Sequence, residues 1–101
     1  VLLKGGHLPG SELVDLLFDG EHLHEFAAPK AATKNTHGTG CTYAAAIAAL
    51  AARAGSPLTD AAMREVVREA HRYLQEAIAA SGALAVGHGH GPLHHFHALW
   101  L

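Results

Sequence analysis

One cysteine stands in this 101-residue chain, so no internal disulfide framework is available to it and a reducing compartment fits. Charge is also sparse, with seven Lys and Arg against nine Asp and Glu and a net charge of −2. The basic residues form no cluster, and nucleic-acid surfaces normally need a basic stripe, so that class of partner is not expected. The longest apolar run stops at Arg53, short of the roughly 20 residues needed to span a bilayer, so no membrane role is expected. No charged-then-apolar leader opens the chain, and the protein reads as soluble and cytoplasmic. There is no initiator methionine either: the sequence starts at Val1, inside an apolar strand-like run, which suggests a fragment.

What is present is concentrated in one octet, Asn35-Thr36-His37-Gly38-Thr39-Gly40-Cys41-Thr42, joined directly to an alanine-rich run. Two closely spaced glycines let a backbone take positive φ and gather its N–H groups toward one point. The run from Tyr43 to Ala52 has high helix propensity, so the octet is expected to open a helix. A first helical turn has unpaired donors and a partial positive charge, which together make an anion site. Cys41 would lie in that turn as a candidate base or nucleophile. A plain helix cap accounts for a Gly-x-Gly alone just as well. Neither a phosphate loop ending in Gly-Lys-Ser/Thr nor a dinucleotide fingerprint is present.

Along the chain, Val1-Leu2-Leu3 reads as a buried strand ended by Lys4-Gly5-Gly6-His7. Val14 to Phe26 reads as a hairpin about a two-residue Asp19-Gly20 turn, with Val14, Leu16 and Phe18 alternating before it and His22, His24 and Phe26 after. Pro29 to Lys34 is a polar connection. A first helix is predicted from about Thr39 to Arg53, stopping near Gly55. A second should start with Ser56 as N-cap and Pro57 at its first position, and bury Leu58, Ala62, Val66, Ala70, Leu74 and Ile78. Arg64, Arg68 and Arg72, with Glu65 and Glu69, mark a solvated face. Gly82 should end that helix, Leu84-Ala85-Val86 form a short strand or loop, and His94 to Leu101 close the chain with aromatic residues. Strands followed by helices suggest an α/β layer, yet strands and helices are too few for a complete parallel sheet.

Together with Val1-Leu2-Leu3-Lys4-Gly5-Gly6-His7 and Gly87-His88-Gly89-His90-Gly91-Pro92, the octet strongly resembles the hydroxymethylpyrimidine/phosphomethylpyrimidine kinases of thiamine biosynthesis, in the ribokinase-like superfamily. Many superfamily members carry Asp where this chain has Cys41, and cysteine there is similar to the pyrimidine and pyridoxal kinase branch. The resemblance runs from Val1 to about Phe96 and covers only the C-terminal half of such an enzyme. The Gly-Ser-Asp and Gly-Gly-Ala-Gly stretches of the N-terminal half are missing, so residues 1–101 are expected to be the C-terminal part of a single three-layer α/β/α domain.

The resemblance implies transfer of the γ-phosphoryl group of ATP, with Mg2+, to hydroxymethylpyrimidine and then to its monophosphate. Backbone N–H groups of Gly38, Thr39, Gly40 and Cys41 would form the anion hole, and Cys41 would take the proton of the attacking hydroxymethyl group. Lys4, Asn35 and Thr36 would serve the nucleotide, while His37 is assigned no chemistry. The partner is thus a small molecule, and the complete protein is expected to be a homo-oligomer. A pyridoxal kinase is the alternative within this chemistry, and a non-catalytic fragment or subunit needing its other half is the alternative outside it. Without further strands, the apolar edge at Val1-Leu2-Leu3 would be open to pairing with another chain.

Ten histidines invite a metal reading, with His88, His90, His94, His95 and His97 in the tail. No cysteine or carboxylate clusters with them, and Gly89 and Gly91 leave the segment without preorganisation, so no metal site is assigned.

Overall fold

The computed structural model describes residues 1–5, 9–31 and 33–99. Gly6 and His7 of the predicted strand-ending turn, Ala32 of the polar connection, and Trp100 and Leu101 of the aromatic close lie outside the described residues. Strand β1 spans Leu2–Leu3, β2 Glu12–Phe18 and β3 Leu23–Pro29. Helix α1 runs Thr39–Ala54 and α2 Asp60–Ala80, followed by a 3-10 turn at Ser81–Ala83. The strands form one antiparallel sheet in the order β1-β2-β3, with Leu2 opposite Leu17 and Asp15 opposite Phe26. The expected hairpin, two helices and tail are there, giving a small α/β fold. The first strand is a two-residue edge strand with Val1 and Leu3 exposed rather than a buried one, because it pairs only with β2.

The hairpin differs from expectation in its turn and in which side faces the core. Its loop is the four residues Asp19 to His22, because the Asp19 carboxylate accepts the N–H groups of Glu21 and His22 at 2.9 and 2.7 Å and so builds the turn itself. The core face of β2 is Leu13, Asp15 and Leu17, while Phe18 is exposed. Alternation named the other side, since a carboxylate at its centre hid the true apolar face. Leu3, Phe18 and Leu23 lie exposed on the opposite face of the sheet.

The second helix starts later than Ser56-Pro57 suggests. Thr59 is its N-cap, the hydroxyl accepting the Ala62 N–H at 3.1 Å, and Asp60 in the first turn suits the helix dipole. Leu58 is therefore outside α2 and exposed. The buried positions are Val66, Val67, Ala70, His71, Leu74 and Ala77, a stripe wider than the fours alone. Arg68 and Arg72 stay on the solvated side, paired with Glu65 and Glu76. This stripe joins Tyr43 and Leu93 in one apolar cluster and Leu17 and Phe26 in another, with Leu2 and Ile47 touching both. Helix α2 thereby packs against both the sheet and α1. Among the described residues no strand forms at Leu84-Ala85-Val86, and no helix is long and apolar enough to cross a membrane.

Candidate functional site

The octet does open a helix. Gly38 is the N-cap of α1 with φ 82°, a left-handed conformation that favours glycine, and no side chain caps the first turn. The first helical bond runs from the Thr42 N–H to the Gly38 carbonyl at 2.9 Å. Thr39, Gly40 and Cys41 thus present first-turn N–H groups to whatever lies ahead of the helix, in the manner of an anion cradle.

Gly40 is different from Gly38. Its φ is not positive, so backbone freedom is not the reason for a glycine here. A Cβ at Gly40 would sit 2.9 Å from the Nζ of Lys4. The absent side chain leaves room for a cation at the end of β1 to lie over the first turn of α1. Lys4 and the glycine motif, separated widely in sequence, are brought together by the fold.

Asn35 is buried, and its amide donates to the Ser81 carbonyl at 2.7 Å and the Leu84 carbonyl at 3.4 Å. Ser81 Oγ donates to the Ile78 carbonyl, so the contact between Thr33 and Ser81 at 3.1 Å has Thr33 as donor. Thr33 in turn accepts the Asn35 N–H at 3.0 Å. The entry to the octet is therefore anchored on the end of α2. The tail holds it from another side: the His37 N–H donates to the Gly91 carbonyl at 3.1 Å, and a Cβ at Gly91 would run into the Asn35 carboxamide. Thr36 and His37 are exposed.

Cys41 is exposed in the first turn. It lines a groove of about 760 Å³ between α1, α2 and residues 95–98 of the tail, whose wall also includes Ala45, Ala49, Arg72 and Tyr73. No group of three or more His, Cys, Asp or Glu among the described residues is placed to hold a metal ion.

Behind the site lies a polar centre that pattern reading missed. Asp15 is 2% exposed; its Oδ1 accepts the Gly5 N–H at 2.9 Å, and its Oδ2 lies 3.2 Å from Nδ1 of the buried His71. Burial alone would raise the Asp15 pKa, but the hydrogen bonds from His71 and Gly5 outweigh it and hold the carboxyl below its ordinary value. The Tyr43 hydroxyl is buried beside this carboxylate; burial and the Asp15 charge push it above the usual phenol range. A lone Asp inside the apolar run Val14-Asp15-Leu16-Leu17 was the available signal.

The family model described as phosphomethylpyrimidine kinase matches residues 1–94. This chain belongs to the phosphomethylpyrimidine kinase family. A hydroxymethylpyrimidine/phosphomethylpyrimidine kinase of Rhizobium meliloti (strain 1021) is 51% identical over 100 residues, 99% of this chain and 35% of that protein. The enzyme of the same name from Escherichia coli (strain K12) is 49% identical over 100 residues, again 99% of this chain and 35% of the relative. A thiamine biosynthetic bifunctional enzyme of Arabidopsis thaliana is 45% identical over 101 residues, 98% of this chain and 18% of its own length. The chain spans about a third of the length of the curated kinases it matches. Within this family member, the residues matched take in the sheet, both helices, Lys4 and the whole octet.

Proposed function

We propose that this chain is the C-terminal part of a single ribokinase-like, three-layer α/β/α kinase domain. The complete protein transfers the γ-phosphoryl group of ATP to hydroxymethylpyrimidine and then to its monophosphate. The observation that carries this reading is the Lys4 ammonium lying over Gly40 at the uncapped start of α1. A cation and a set of aimed N–H groups at one spot suit a transferring phosphoryl group, whose reaction depends on positioning and charge neutralisation.

In this reading the N–H groups of Gly38, Thr39, Gly40 and Cys41 face the charge on the transferred group, and Lys4 neutralises the nucleotide phosphates. Cys41 accepts the proton of the substrate hydroxyl as its oxygen bonds to phosphorus and ADP leaves. Asn35 and Thr36 serve the nucleotide side of the octet, Asn35 by fixing its backbone. The donor set fits a polyphosphate rather than a caged cation. Mg2+ brought with the nucleotide would supply further charge neutralisation, with Lys4 and the first-turn N–H groups meeting the phosphates themselves.

We place the enzyme in the cytoplasm, as a homo-oligomer acting on a small-molecule alcohol. The exposed Leu3, Phe18 and Leu23 favour a chain that works with the remaining two thirds of its relatives' length rather than alone. Turnover of the full-length protein with ATP and either hydroxymethylpyrimidine or pyridoxal as acceptor tests the substrate. Phosphorylation of the pyrimidine is expected, and a marked preference for pyridoxal would replace it with the pyridoxal kinase reading.

A further inference from the structure

Lys4 reaches the site from the end of a two-residue strand, too short to hold it by ladder bonds alone. The backbone just after it is held by a side chain. The Gly5 N–H donates to Asp15 Oδ1 at 2.9 Å in a buried setting, and a Cβ at Gly5 would run into the Val14 carbonyl, so the chain lies directly against β2 there. Asp15 as a carboxylate only accepts hydrogen bonds, which makes His71 Nδ1 the donor across 3.2 Å. His71 belongs to α2, and its ring packs near both Phe26 and Tyr43, with centroids 5.9 and 6.3 Å away. Tyr43 lies two residues beyond Cys41 in α1. One buried carboxylate therefore bonds both the strand end that bears Lys4 and the His71 ring of α2, and that ring packs near Tyr43 of the helix that bears Cys41.

Apolar packing can hold a sheet against helices, but it is non-directional and does not set one backbone N–H to a fraction of an ångström. A buried carboxylate with two directed partners does. It carries a desolvation cost that a leucine at this position would avoid, so its presence on the core face calls for a role.

We propose that Asp15, held by His71, is a positioning residue that sets Lys4 over the first turn of α1. The proposal rests on the kinase reading, because Lys4 is taken to act on the phosphates. Asp15 touches neither substrate nor nucleotide; it acts through the Lys4-Gly5 backbone.

The test is a double-mutant cycle on phosphoryl transfer in the full-length protein, with melting temperatures recorded for each variant. Asp15→Ala is expected to lower the transfer rate by about 10²-fold, the scale of a displaced catalytic group. In a Lys4→Met background the same change should cost only a small further factor, since there is no ammonium left to misplace. Asp15→Asn should restore much of the rate, as its amide oxygen can accept from Gly5 while its nitrogen donates to the other His71 tautomer. Equal losses in both backgrounds, or Asn no better than Ala, would overturn the positioning role. Should Asp15→Ala not melt cooperatively, the cycle is run with His71→Phe, which removes the donor and fills the space; a loss that vanishes with Lys4→Met supports the proposal, and an undiminished one refutes it. Failure of the unaltered protein to release ADP with either alcohol would instead overturn the kinase reading, and this proposal with it.

Discussion

The side-chain amide of Asn35 donates to the backbone carbonyl of Ser81 at 2.7 Å, across 46 residues of sequence. It fastens the turn that begins the glycine motif to the end of α2, so the helix that supports the core also supports the site. Gly91 leaves space for this amide.

Exchange of that amide should be costly. Asn35→Asp sets a carboxylate against the carbonyls of Ser81 and Leu84 and is expected to lose about 1–3 kcal/mol in denaturant unfolding. Gly91→Ala should also destabilise, because its Cβ meets the Asn35 carboxamide. In an Asn35→Ala background the Gly91 change should cost less. Additive losses in the double variant would show that the two do not share one space.

The two motif glycines should respond differently to alanine. Gly38→Ala forces a side chain into φ 82° and is expected to cost about 1–2 kcal/mol of stability. Gly40→Ala meets no such strain but crowds the Lys4 ammonium, so turnover of the full-length enzyme should fall while its melting temperature holds. A Gly40→Ala enzyme with full activity would remove Lys4 from the phosphate role.

Cys41→Ser should lose most turnover and still bind nucleotide, since the backbone donors are untouched. Mg-ATP, binding only the folded state, should raise the melting temperature of the full-length protein and of this variant alike. Unchanged turnover in the serine variant would end the base assignment.

Acid should act through Asp15. Its folded-state pKa is depressed, so its contribution to stability is present above the unfolded carboxylate value near ~3.9 and is lost as pH falls through the folded value. Unfolding free energy should therefore drop below about pH 4 in the unaltered protein, and less steeply in Asp15→Asn. The same slope in both would place the acid sensitivity in other carboxylates, with Asp19, also depressed by the N–H groups of His22 and Glu21, as the next to change.

Local chemistry determined much on its own. The octet followed by alanines specified where α1 begins and Gly55 where it ends, because capping and propensity depend on near neighbours, while the Asp19-Gly20 signal marked the hairpin but not its four-residue loop. The family was legible from the octet together with the segments at residues 1–4 and 87–92. Contacts between distant residues decided the rest. Alternation pointed to Val14, Leu16 and Phe18, but β2 turns Asp15 inward because Gly5 and His71 satisfy it there. Gly40 serves clearance for Lys4 rather than backbone freedom, and Asn35 spends its amide on the end of α2. A buried polar group is stable only where partners reach it, and those partners come from other elements, so no pattern within one segment could have disclosed them.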